Sequence, residues 1–178
     1  AVRAPTAQAA AMRTAVFFTL IEKKTAVLIA AACAVGALTA GAAPDRVEAL
    51  RAFGHAMGLA FQLTDDTLDY VAAEKEFGKA IGMDIREGKI TLPLIRTLAR
   101  CTAGEKETIR GIVERKQATD EDIAAVFGLI GKYDGIPYAL DRARTIIADG
   151  KARLAPFRDG EAKAALLAMA DFIAERTL

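Results

Sequence analysis

The 178-residue chain has no tryptophan, one histidine, two cysteines and only 6% aromatic residues. Cys33 lies in an apolar run and Cys101 ends a presumed helix, with no second Cys or His at ligand spacing near either. That leaves no basis for a disulfide scaffold or a zinc site and fits a reducing, cytoplasmic compartment. An excess of either charge is also missing, with 24 Lys+Arg against 23 Asp+Glu. Neither nucleic acid nor an anionic membrane is therefore a default partner. Period-two runs of β-branched residues are absent, so an α/β fold has no strands to build on. What fills the 53% hydrophobic content is alanine, present 39 times. Alanine is the best helix former and a poor strand former, so the composition predicts an all-α protein with closely packed helices. The length suits a single domain spanning residues 1–178, with a core that needs no metal or disulfide staple.

Two stretches superficially resemble targeting or membrane segments. Residues 1–18 carry Arg3 and Arg13 and no acid, like a transit peptide, but the chain does not begin with Met, so its first residue is not expected to be the first codon. Thr25 to Ala43 is an uncharged run of 19 residues, about half of them alanine. Its length reaches the spanning range, yet its low hydrophobicity suits a helix buried among helices, and no membrane span is predicted.

Glycine and proline divide the chain into helical blocks at about residues 8–40, 44–76, 92–102, 104–116, 119–132, 136–154 and 160–176. Pro44, Pro93 and Pro137 fall in first turns, where proline is tolerated. Thr119-Asp120-Glu121-Asp122 supplies a capping hydroxyl and three acids at a helix start. The one long irregular connection runs from Phe77 to Thr91, and a loop of that length in a helical domain is more often functional than filler.

The segment Phe61-Gln62-Leu63-Thr64-Asp65-Asp66-Thr67-Leu68-Asp69-Tyr70 carries the most chemical information. With Gln62 at zero, Asp65, Asp66 and Asp69 fall at about −60°, +40° and −20° on a helical wheel, an arc of about 100°. Three carboxylates on a narrow stripe of an otherwise apolar helix repel one another and are costly to desolvate. A hard cation such as Mg²⁺ removes the conflict and shares its coordination with a substrate phosphate. A solvated acidic patch is the competing reading, weakened by the apolar residues on both sides of the stripe.

The loop Gly78-Lys79-Ala80-Ile81-Gly82-Met83-Asp84-Ile85-Arg86-Glu87-Gly88-Lys89 places Lys79 and Lys89 beside glycines and reads as an anion-binding lid. It is not a P-loop: the spacing from Gly82 to Lys89 is one residue too long, Ile90 stands where Ser or Thr is required, and no strand precedes it. A solvated connection between helices is the alternative. Lys24-Thr25 opens the apolar run, either as its solvent end or as a cation and oxygen donor at the mouth of a cavity. His55 has nothing nearby to complete a base or metal site and is read as structural.

Three ordered segments resemble the trans-isoprenyl diphosphate synthases, the polyprenyl synthetase family. They are Lys24-Thr25-Ala26, Phe61-Gln62-x-x-Asp65-Asp66-x-x-Asp69-Tyr70, and Gly78-Lys79-x-x-Gly82-x-Asp84-x-x-x-Gly88-Lys89-x-Thr91-Leu92-Pro93. The resemblance implies the all-α isoprenoid synthase bundle, homodimerisation, and condensation of isopentenyl diphosphate onto an allylic prenyl diphosphate. Carried over residue by residue, it implies Asp65 and Asp69 as Mg²⁺ ligands supported by Asp66. It places Lys24, Lys79 and Lys89 on diphosphate, and Thr25 and Gln62 facing the cationic carbon. Lys-Thr-Ala, with Thr-Leu-Pro after Lys89, is closer to medium- and long-chain members of the octaprenyl type. Family members carry an earlier aspartate-rich motif followed by arginines, and nothing upstream of Phe61 resembles it. The sequence is therefore expected to be the C-terminal part of a synthase, incomplete as an enzyme by itself. A synthase-like non-catalytic partner and a class I terpene cyclase are the alternatives; the retained acids and lysines speak against the first and the Gly/Lys loop against the second.

Overall fold

In the computed structural model, residues 7–75, 82–115 and 118–176 are described. They form helices α1 (Ala7–Ile21), α2 (Val27–Thr39), α3 (Pro44–Lys75), α4 (Met83–Arg86), α5 (Leu92–Arg100), α6 (Ala103–Arg115), α7 (Asp120–Lys132), α8 (Gly135–Ala152) and α9 (Glu161–Glu175). Among the described residues there is no strand, so the all-α expectation holds. Two differences from the sequence reading bear on function. The first block is not one α-helix: Glu22–Ala26 forms a π-helical turn between α1 and α2. The long connection is not wholly irregular, because α4 forms inside it. The remaining blocks are helical with ends displaced by a few residues, where terminal turns fray.

The chain divides into two compact units, one holding Ala1–Phe17 and Asp65–Leu140, the other Phe18–Thr64 and Asp141–Leu178. The core of the first gathers Ile85 from α4, Leu94 from α5, Ile109 and Ile112 from α6, and Val126 and Ile130 from α7 around Tyr70. Tyr70 is 2% exposed; its ring packs 5.5 Å from that of Phe127, and its hydroxyl lies 2.6 Å from Thr91 Oγ1. Replacing Thr91 by valine strands that hydroxyl in the core, and chemical denaturation should show a loss of about 1–3 kcal/mol. Thr119 caps α7 as its sequence anticipated, in a reciprocal capping box with Asp122. The core of the second unit is built on α3, where Phe53, Met57 and Ala60 meet Ile147 of α8 and Ala170 and Ile173 of α9. No helix among the described residues is long and apolar enough to cross a membrane. The uncharged run from Thr25 is one reason: only 13 of its residues form α2.

Candidate active site

In the second unit, the π-helical turn holds Lys23, Lys24 and Thr25, the segment singled out by its lysines. A π turn adds a residue to a helical turn, and such turns are frequent at functional sites. Three positions of α3 meet it. The Nε2 of His55 lies 3.1 Å from Glu22 Oε1, Gly58 faces Ala26, and Thr25 Oγ1 donates a 2.7 Å hydrogen bond to Gln62 Oε1. Residues 55, 58 and 62 are spaced three and four apart and share one face of the helix. Ala26 is fully buried against Gly58, and a Cβ at position 58 would stand 2.5 Å from the Ala26 Cα. The glycine thus sets the closeness of approach on which the Thr25–Gln62 bond depends. Gln62 is buried at 3% exposure, while Lys24 is exposed and Thr25 half-buried. His55, read from sequence as structural, is partnered by Glu22.

In the first unit, α3 runs unbroken to Lys75, so the periodicity that places Asp65, Asp66 and Asp69 on one arc applies. Asp65 is exposed, Asp66 and Asp69 half-buried, with the fully buried Thr67 and Tyr70 beside them. The Gly/Lys loop folds onto this helix. Gly82 starts α4 with φ +68°, a left-handed conformation that glycine adopts without strain, and its ideal Cβ would lie 2.7 Å from Ile123. Two residues on, the Asp84 amide donates to Asp69 Oδ2 at 3.1 Å. Arg86 fastens the other side of α4 by donating to the Ala118 carbonyl at 2.6 Å and pairing with Asp120. Lys89 then reaches back to Asp84 Oδ1 at 2.9 Å and Glu87 Oε2 at 2.7 Å, bonds that push its pKa up and keep it cationic. Lys79 lies outside the described residues.

Burial pushes the Asp69 carboxyl above the usual aspartate range, opposed by the Asp84 amide, with the Asp84 carboxylate adding to the rise and Lys89 opposing it. Asp69 therefore holds protons in the folded state at a pH where the unfolded chain has released them, and stability falls as pH rises through that window. Asp69→Asn removes this penalty while keeping an oxygen for the Asp84 amide. In metal-free buffer, its melting temperature relative to wild type should become more favourable between pH 3 and pH 7, read by thermal unfolding at both.

The donors along this face are carboxylate oxygens, the hard ligands that Mg²⁺ takes, and one of them is a carboxylate whose charge burial disfavours. Among the described residues no three His, Cys, Asp or Glu side chains close around a point. The donor set fits a cation that retains water and is completed by substrate phosphates, which is how Mg²⁺ is commonly held.

Sequence reasoning gave no role to Asp84 and Glu87, the partners of Lys89, and missed the π turn. The loop acids were visible only as charges of ordinary spacing. Gly54 and Gly58, four apart on α3, were the available sign that this helix approaches another closely.

The sequence pattern of the polyprenyl synthetase family matches residues 4–130. The chain belongs to that family. It is 36% identical over 160 residues to a short chain isoprenyl diphosphate synthase of Methanothermobacter thermautotrophicus, an alignment covering 90% of this chain and 49% of that one. It is 41% identical over 123 residues to heptaprenyl diphosphate synthase component 2 of Geobacillus stearothermophilus, covering 67% and 37%. Among solved structures, a polyprenyl synthase from Caulobacter crescentus, complexed with calcium and isoprenyl diphosphate, superposes with a TM-score of 0.84 at 40% identity, over 92% of this chain and 50% of that one. The chain spans about half the length of the curated relatives it matches. Prenyl synthases of this family generally use a divalent metal.

Proposed function

We propose that the protein is a prenyltransferase of isoprenoid biosynthesis, condensing isopentenyl diphosphate with an allylic prenyl diphosphate to give a longer polyprenyl diphosphate. The observation that carries this reading is the Gly/Lys loop folded onto the acidic helix, with the Asp84 amide on Asp69 and Lys89 within reach of Asp84. Asp65 and Asp69, supported by Asp66, would hold Mg²⁺. When bound, Mg²⁺ stabilises the charge on the departing diphosphate. Lys24, Lys79 and Lys89 bind diphosphate oxygens; Lys89 exchanges its own carboxylate partners for them, so the substrate meets a cation already placed. The Thr25 hydroxyl has its hydrogen turned to Gln62, which leaves oxygen lone pairs to face the carbon that becomes cationic as the allylic bond ionises. The carbon–oxygen electron pair leaves with the diphosphate, electrons of the isopentenyl double bond form the new carbon–carbon bond to the allylic cation, and the cation so produced gives a proton to an oxygen of the released diphosphate.

The heptaprenyl relative and the Lys24-Thr25-Ala26 segment support a medium- or long-chain product. Homodimerisation and a cytoplasmic location complete this reading, the latter supported by two free cysteines. A second reading rests on the name of the same relative, a synthase component: the chain works with a separate partner subunit. Labelled isopentenyl diphosphate tests both. Mg²⁺-dependent incorporation into longer prenyl diphosphates by this chain within a polypeptide that also carries the earlier aspartate-rich motif supports the first, and incorporation only on adding a separate partner component supports the second. Diphosphate release from the allylic substrate without isopentenyl diphosphate, giving a hydrocarbon or alcohol, would overturn both in favour of a terpene cyclase.

A further inference from the structure

The first unit contains a cavity of about 210 Å³ beneath residues of α1, α5 and α6. Its inner side is apolar: Leu94 and Ile109 are buried to 0% and 1% exposure, Leu98 to 7%, and Ile90 stands at the rim, 44% exposed. Its outer side carries three cations, Arg13, Lys106 and Arg110, and one acid, Glu114. Arg110 pairs with Glu107 at 3.3 Å, but neither Arg13 nor Lys106 has an ion-pair partner among the described residues. Burial, with the nearby Arg13 and Arg110, pushes the Lys106 ammonium below the usual lysine range. Like charges gathered over an apolar hollow are an unfavourable arrangement that an anion relieves, and a hollow of this kind gains further from filling with hydrocarbon.

We propose that this cavity binds a small anionic amphiphile: a phosphate-headed molecule whose headgroup sits among Arg13, Lys106 and Arg110 and whose short alkyl or prenyl chain enters against Leu94, Leu98 and Ile109. The small size of the cavity, about 210 Å³, suits a short chain better than a long lipid tail. The inference rests on this cavity and is independent of the reaction proposed above.

Hexyl phosphate is the probe. Isothermal titration should show saturable binding at least about tenfold tighter than that of inorganic phosphate or of 1-hexanol, because headgroup and chain each contribute. Lys106→Glu should weaken it by about tenfold or more while Lys106→Arg retains it. Circular dichroism checks the fold of each variant. Ile90→Asp, at the exposed rim, provides a second route that leaves the core intact: it should bring hexyl phosphate down to the affinity of inorganic phosphate. Asp69→Asn and Lys89→Ala, which alter the acidic helix and its loop, should leave hexyl phosphate binding unchanged. The proposal is overturned if hexyl phosphate does not saturate, if inorganic phosphate binds as tightly, if Lys106→Glu binds normally, or if Asp69→Asn abolishes binding and so places the ligand at the other site. Co-sedimentation with phosphatidylglycerol vesicles in the absence of hexyl phosphate binding also overturns it, since that describes a membrane-facing charge patch.

Discussion

The Gly58→Ala protein is expected to unfold about 6–12 °C below wild type, a loss of roughly 3 kcal/mol. In an exposed helical position this substitution ordinarily stabilises, since alanine gives up less backbone freedom than glycine on folding. Here the added Cβ would stand 2.5 Å from Ala26 Cα, 3.1 Å from its Cβ and 3.2 Å from its nitrogen. Two of these are backbone atoms of a turn that is itself helical, so no side-chain rotation relieves the contact, and α3 or the π turn must move. Gly36, in α2, is the internal control. Nothing lies within 4 Å of its ideal Cβ, and Gly36→Ala should raise stability by about 0.5–1 kcal/mol. Differential scanning calorimetry of the two variants therefore expects changes of opposite sign from the same chemical substitution. The displacement in Gly58→Ala has a second consequence, because Ala26 follows Thr25 and Gln62 lies one turn beyond Gly58. The 2.7 Å Thr25–Gln62 bond is lost, and with it the oxygen placement assigned to prenyl transfer.

Asp69→Asn separates stability from function in the opposite direction. The substitution keeps the shape of the side chain and an acceptor for the Asp84 amide, and it removes a charge that burial disfavours. Its expected effect on the folded state at neutral pH is favourable. Its expected effect on Mg²⁺-dependent diphosphate release, read with the earlier aspartate-rich motif supplied on the same polypeptide, is a fall of roughly 10²-fold or more, the scale found when one group that stabilises developing charge is removed. Asp65→Asn should show the same functional loss without the gain in stability, because Asp65 is exposed and no burial penalty is relieved there. A carboxylate retained at a cost to stability is what a ligand-binding position requires. A purely structural Asp69 would lose stability, not activity, on the same change.

The helical fold was legible because alanine content, first-turn prolines and the Thr119 cap all favour helix, and each reports on local backbone preference. The acidic stripe was legible because a helix repeats its faces, so spacing alone groups Asp65, Asp66 and Asp69. The π turn was not legible. Its residues, Glu22–Ala26, have no local preference for an extra residue per turn; the contacts of Gly58 and Gln62 with it are tertiary and join positions more than 30 residues apart. The partners of Lys89 were missed for a related reason. α4 is a single turn whose register is set by Gly82 against Ile123 and by Arg86 on Ala118, and neither contact can be read from spacing. Family resemblance supplied the roles of the lysines and acids. The geometry adds that the loop lysine is already oriented by carboxylates of its own loop before any phosphate arrives.

The binding of inorganic diphosphate, titrated with and without Mg²⁺, bears most directly on the pairing of acidic helix and Gly/Lys loop. The wild-type protein is expected to bind diphosphate at least about tenfold more tightly with Mg²⁺ than without it, and Asp69→Asn and Lys89→Ala are each expected to abolish most of that Mg²⁺-dependent gain. Diphosphate binding of equal strength without Mg²⁺, or binding that neither substitution alters, would contradict the account.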